Sequence, residues 1–283
     1  MSNMKRKNSF IFVGVLLLVG VTFFFWYIYQ NAERFSIAME TIPDGVSVGE
    51  VVDLQFSFWD READTPPVLL VDHERIVHVV IVGKDFNEFL HIHPEDVGPV
   101  TADMLEKGLF TVRFAPPKGG EYIVAVDAKT MAGHIAQQFK LFVSGAPVMI
   151  SPMADFSRQD VFDGYDVLLF APAGVNVGED VMLSYTIQKN GKPITDLTPY
   201  LGAPMHLAVV HNSFKDFFHT HAQITDSDAS HGGDHDIHGV LPESFGPGLE
   251  ARMAFSQKGL YHIFGELSRG GEKILTHFQI EVK

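Results

Sequence analysis

A single block of this chain occurs twice. Val77-His78-Val79-Val80-Ile81-Val82, Phe86 and Phe89-Leu90-His91-Ile92-His93 return as Met205-His206-Leu207-Ala208-Val209-Val210, Phe214 and Phe217-Phe218-His219-Thr220-His221, at a constant offset of 128. The flanks repeat as well. Val46-Ser47-Val48-Gly49-Glu50 matches Val175-Asn176-Val177-Gly178-Glu179, and Gly120-Glu121-Tyr122, Phe139 and Val143 match Gly259-Leu260-Tyr261, Phe278 and Val282. Self-similarity on this scale implies two copies of one folding unit rather than one continuous core.

Within each copy, short runs rich in Val, Ile, Phe and Tyr with a period near two, such as residues 51–58, 122–126 and 181–187, are separated by Gly, Pro, Asn and Asp. That pattern predicts antiparallel strands, and no long amphipathic helix is readable after residue 35. Each unit has the size and turn spacing of an immunoglobulin-like sandwich. The expected fold is therefore all-β: two tandem immunoglobulin-like antiparallel β-sandwiches, repeat 1 at 36–146 and repeat 2 at 165–283. The Pro-flanked segment 147–164 is expected to be a linker.

Ahead of the repeats, residues 10–29 form a charge-free apolar run of 20, long enough as a helix to span a hydrocarbon core of about 30 Å. Lys5, Arg6 and Lys7 precede it, which places residues 1–9 in the cytoplasm and the repeats in the periplasm or cell exterior. Its length and its exit through Phe23-Phe24-Phe25-Trp26-Tyr27 favour a retained single-pass anchor over a cleaved signal peptide. Outside the three leading cations the chain carries 18 basic against 35 acidic residues, a net of -17. Such a field attracts cations and opposes nucleic acid, which is not expected as a partner. With no cysteine, a metal site here must use His, Met or carboxylate, and the chain has 14 His.

The repeated histidines are the candidate ligands. If the turn after the first strand is centred between Asp85 and Phe86, His78 opposes His93 and lies diagonal to His91, all on one face. His206, His219 and His221 have the same spacing, and a slip of one residue would break either triad. Three converging imidazoles suit copper, zinc or nickel, one ion per hairpin, and Met205 beside His206 adds a thioether for Cu(I). Copper is the first choice. The competing reading is structural, with each His-x-His filling a sandwich edge and donating to backbone carbonyls. A further polar tract, residues 226–239, carries His231, His235 and His238 among four Asp, a composition suited to weak, exchangeable ligation. His134, His262 and His277 lack a His at the matching position in the other copy and read as surface or packed residues. His73 and His211 lie beside the triads.

The string Pro199-Tyr200-Leu201-Gly202-Ala203-Pro204-Met205-His206, followed by Phe217-x-His219-x-His221 and a closing Gly-Leu-Tyr, resembles the extracytoplasmic His-containing β-sandwich modules of the YtkA-like and copper-resistance-associated type. The resemblance covers repeat 2 nearly whole and repeat 1 in its middle and end, and it implies an anchored or secreted protein that binds a heavy metal. Repeat 1 departs from the pattern at Leu69-Leu70-Val71-Asp72-His73-Glu74-Arg75. No nucleophile elbow, phosphate loop or zincin helix occurs, and the cupin spacing is not met, so an enzyme is not expected. The function read from the sequence is a membrane-anchored metal-binding protein that captures, buffers or transfers the ion, with another envelope or membrane protein as a possible partner. The alternative is an adhesion or assembly module whose histidines are structural.

Overall fold

A computed structural model describes residues 34–146, 154–225 and 241–283. The expected anchor at 10–29 and the tract with His231, His235 and His238 lie outside the described residues. Among the described residues, no helix is long and apolar enough to cross a membrane.

The first half contains β1 (Phe35–Ile42), β2 (Val46–Ser47), β3 (Val52–Asp60), β4 (Leu69–Leu70), β5 (Val77–Gly83), β6 (Phe89–Ile92), β7 (Leu109–Phe114), β8 (Gly120–Thr130) and β9 (Gly133–Ser144). Its one short helix, α1 (Ala102–Lys107), is capped by the Thr101 hydroxyl accepting from the Met104 N–H. Sheet β1-β3-β7 faces sheet β2-β9-β8-β5-β6. Alternating residues of β3, Leu54, Phe56 and Phe58, meet Val77, Val79, Ile81, Val124 and Val126 in the core between the sheets.

The second half repeats this plan with β10 (Gln159–Phe162), β11 (Tyr165–Phe170), β12 (Asp180–Lys189), β13 (Lys192–Pro193), β14 (Met205–His211), β15 (Phe217–Ile224), β16 (Gly248–Ala254), β17 (Gly259–Arg269) and β18 (Glu272–Val282). Even a minor feature is duplicated: the parallel pairing of Val46 with Val143 recurs as the Val175–Val282 bridge. The described residues are all-β apart from α1 and short turns, as the repeat and its period-two runs imply.

Two differences from the expected layout have local causes. β10 lies inside the segment expected as linker, yet it pairs with β11 through a tight turn at Asp163-Gly164, so the second sandwich already includes residue 159. The copies also diverge after the His-x-His. β15 continues to Ile224 and pairs with β16, joining the two sheets of its half. β6 stops at Ile92, because Pro94 has no N–H to donate and the chain turns into a 3₁₀ turn at Pro94–Asp96.

The two halves pack on each other through equivalent faces. β5 and β14 are buried along their whole length. Val77, Val79 and Ile81 point into their own sandwich, while Val80 and Val82 meet Ala208, Val210, Phe86 and Phe264 in a separate apolar cluster between the halves. Phe86 stacks on its repeat counterpart Phe214 at 4.8 Å and 3°, and on His262 at 3.5 Å and 1°. Like residues meeting like residues define an isologous contact, the internal equivalent of a twofold dimer.

Candidate metal centre

The hairpin registers decide which imidazoles share a face. β14 and β15 place His206 opposite His221 and Ala208 opposite His219. In the first half the ladder pairs Val79 with Ile92 and Val80 with His91, and one further step sets His78 opposite His93. In both hairpins the three rings lie on the face turned away from the sandwich core, the face that the other half covers. Consequently the two triads form a single centre. Ring centroids of His78 and His219 are 4.9 Å apart, and those of His91 and His219 are 5.0 Å apart. One ligand atom from each of His78, His91, His206 and His219 lies within 4.8 Å of the other three, close enough to bind a metal ion. The four-histidine group draws on both hairpins, so the two candidate triads adjoin rather than standing apart.

The outward nitrogens determine what the inward ones can do. His78 Nε2–H donates to the Asp72 carbonyl at 3.1 Å, and His206 Nε2–H donates to the Tyr200 carbonyl at 2.9 Å. Those carbonyls are held by matching two-residue turns in which both central residues have positive φ, His73 and Glu74 in one copy and Leu201 and Gly202 in the other. The departure of repeat 1 from the Pro-Tyr-Leu-Gly string therefore leaves the turn intact. His91 Nδ1–H donates to Glu266 Oε2 at 2.7 Å, and His93 Nδ1–H donates to Asp96 Oδ2 at 3.2 Å. A neutral imidazole has one N–H, so Nδ1 of His78 and His206 and Nε2 of His91 and His93 are lone pairs directed inward. They are crowded: His78 Nδ1 and His91 Nε2 are 3.2 Å apart, and His91 Nε2 and His93 Nε2 are 3.1 Å apart. In the other triad His206 Nδ1 is 3.3 Å from His219 Nε2 and 3.1 Å from His221 Nε2. In the first triad, lone pairs at such spacing repel unless a cation lies among them, and nitrogens bound to one ion at 2.0–2.1 Å stand roughly 3–3.5 Å apart.

A proton is a poor substitute for that cation. Burial, reinforced by the neighbouring imidazoles, lowers His78 to about 3 and pushes His91, His206 and His221 well below the usual histidine range. The ring nitrogens are thus kept in the neutral, ligating form. By contrast, His211 satisfies both its nitrogens locally, with the Ser213 hydroxyl at 2.6 Å and the Lys258 carbonyl at 3.1 Å, and is a packed structural histidine.

Two of the carboxylates behind the rings cross the boundary between the halves. Glu266, on β17, holds His91 of the first half, and its side chain is 1% exposed. The equivalent Asp127, on β8, faces His219 Nδ1 of the second half at 3.9 Å. Each partner occupies the strand position paired with the first histidine of its own copy, Asp127 with His78 and Glu266 with His206. Neither was among the residues picked out from the sequence, although a signal was available. Counting on from the aligned Gly-x-Tyr puts an acid five residues after the Tyr in each copy, Asp127 after Tyr122 and Glu266 after Tyr261. His73 belongs here too: its ring lies 3.7 Å from that of His221, and its Nδ1 contacts the Gly202 carbonyl at 3.3 Å.

The remaining sequence candidates fall elsewhere. Met205 turns to the opposite face from His206 and is buried in the core of the second sandwich, so the expected thioether donor is absent from the centre. His262 and His277 pair with each other at 2.9 Å within the packing between the halves. His134 is half-exposed and contacts Asp127 at 3.4 Å.

These features define a two-sandwich β protein with an all-imidazole centre buried between its halves, with carboxylates behind three of the rings. Residues 159–283 match a family model described as a domain of unknown function (DUF8832). No curated protein matches the chain. Among solved structures, a red sea bream transglutaminase is 9% identical, with 88% of this chain covered and a TM-score of 0.25. The Escherichia coli adhesin FdeC is 14% identical over 89% of this chain with a TM-score of 0.24, and an ICAM-5 D1–D4 ectodomain fragment is 13% identical over 89% with 0.25. The chain spans 31%, 65% and 54% of those three chains respectively, and TM-scores of this size carry no argument about activity.

Proposed function

We propose that this protein is a membrane-anchored, outward-facing metal-binding protein that holds one copper ion between its two sandwiches and captures, buffers or transfers it. The reading rests chiefly on the inward lone pairs of His78, His91, His93 and His206, fixed by acceptors behind the rings and crowded to 3.1–3.2 Å in the first triad. Nitrogen donors without sulfur suit Cu(II), Zn(II) and Ni(II), and Cu(II) heads the affinity order for such sites. Placement outside the cytoplasm follows from the apolar run at 10–29 and the cations before it. The acidic chain supplies the attracting field, and the His231 to His238 tract supplies weak outer ligands. The role is binding and handover, not catalysis, with an envelope or membrane protein as the receiving partner.

Elemental analysis of the detergent-purified full chain after equilibration with Cu(II), Zn(II) or Ni(II) tests this. We expect one tightly held ion per chain, copper outcompeting zinc, and its loss in His91→Ala/His219→Ala. A wild-type chain that retains no ion would sink the proposal and return the histidines to a structural role.

A further inference from the structure

Each sandwich closes its own hydrophobic core, and the seam between them is built differently. Among the described residues, every ladder and every other backbone hydrogen bond stays within one half. What crosses the seam is side-chain contact. His91 meets Glu266 at 2.7 Å, His219 faces Asp127 at 3.9 Å, and His73 Nδ1 contacts the Gly202 carbonyl at 3.3 Å. The imidazoles of the centre and the apolar cluster around Phe86 and Phe264 complete it. An interface of this kind inside one chain permits relative motion of the units it joins. Closing it also carries polar penalties. In the closed seam the carboxylates of Glu266 and Asp127 are 1% and 9% exposed, and His262 Nε2 is buried beneath Phe86 with no hydrogen-bond partner. The same closure sets the inward lone pairs of His78 and His91 against the rings of His206 and His219.

We infer that the seam is a metal-operated clamp: the ion-free chain opens between the β5–β6 and β14–β15 hairpins, and a divalent metal cation closes it by cross-linking the two. The inference rests on the metal-binding reading above and adds a conformational response to the ion. Opening leaves both sandwich cores intact and hydrates Glu266, Asp127 and His262. It also gives the ion access to His78, His93 and His206, each no more than 2% exposed when the seam is closed. The direction of the response follows from differential binding, because a ligand shifts an equilibrium only as far as it prefers one state. An open hairpin offers an ion three imidazoles at most, whereas the closed seam gathers donors from both halves. No bond is made or broken beyond exchange of metal ligands and water.

The test is a distance measurement across the seam in the detergent-purified full chain. The chain has no cysteine, so Glu106→Cys and Lys192→Cys, both at exposed positions, place one spin label on each half. Double electron–electron resonance is recorded with chelator and with Zn(II), which is diamagnetic and suits the same donors. We expect a broad distance distribution without metal and a single narrow one with Zn(II). His91→Ala/His219→Ala in the labelled chain should stay broad at the same Zn(II) concentration. His262→Phe, which puts carbon where the unpartnered nitrogen lies, should enlarge the closed population without metal and tighten Zn(II) binding by the same factor. A metal-free distribution as narrow as the Zn(II)-loaded one would overturn the clamp. So would narrowing that persists in His91→Ala/His219→Ala, or a larger closed population in His262→Phe without tighter binding. Equilibrium dialysis separates these outcomes from failure of the parent reading, which would show as a wild-type chain that retains neither Zn(II) nor Cu(II).

Discussion

Glu266→Gln isolates the electrostatic part of the contact across the two halves, because the amide keeps the shape and one accepting oxygen but removes the charge. In wild type His91 Nδ1 stands 2.7 Å from Glu266 Oε2, and both side chains are at most 2% exposed. A hydrogen bond to a charged group is worth about 1.5–3 kcal/mol, against about 0.5–1.5 kcal/mol for a neutral one. The difference is about 1–2 kcal/mol of ligand basicity and orientation. Loss of a partner behind a metal-bound histidine typically costs 10–100-fold in affinity, or about 1.4–2.7 kcal/mol, which overlaps that range. Lys273, 44% exposed at its side chain, can hydrate once its partner is neutral, so the fold should tolerate the change. Asp127→Asn should follow the same logic with a smaller effect, because Asp127 faces His219 at 3.9 Å rather than 2.7 Å. Competition titration against a chromophoric Cu(II) chelator, with apo thermal unfolding as the control, reads both variants. An affinity within twofold of wild type for Glu266→Gln, or a larger loss for Asp127→Asn, would refute the assignment of these carboxylates as orienting groups.

Acid should destabilise the apo protein. Above pH 6.5 the buried rings are neutral whether folded or unfolded; below it the unfolded chain takes up protons that folded His78 and His262 resist until about pH 3 and His277 until about pH 4. Stability is therefore lost as pH falls from about 6.5, by about 1.4 kcal/mol per pH unit for each such histidine, and urea midpoints that stay flat from pH 7 to 4 in the presence of chelator would contradict this. Phe86→Ala should cost about 3–5 kcal/mol, as for other buried aromatic truncations, because Phe86 is 3% exposed between Phe214 and His262. The same variant should weaken metal binding, since it loosens the contact that brings the two triads together; unaltered affinity would show that the halves are held by other means. Intact-mass analysis of the mature protein should find residues 1–33 retained, whereas a new N-terminus near Asn31 would identify a cleaved signal peptide.

Much of the local architecture is written in the order of residues. The offset of 128 between the two His-containing hairpins already implies two equivalent units, and any register that sets His78 opposite His91 or His93 puts all three on a single face. A strand's side chains alternate with a period of two, so face sharing within one hairpin follows from counting. Counting does not extend to what covers that face. That β5 and β14 are buried on both sides, that Phe86 stacks on Phe214, and that the two triads form one centre depend on how two folded units dock. Glu266 lies 175 residues from His91 along the chain, and no local pattern links them. The same holds for Met205, adjacent to His206 in sequence but turned by the pleat into the opposite layer. Sequence alone determined which imidazoles could share a face, through the short-range geometry of the strand. Only the packing of one sandwich on the other, a long-range choice made by apolar burial, decided that the imidazoles serve a single shared centre.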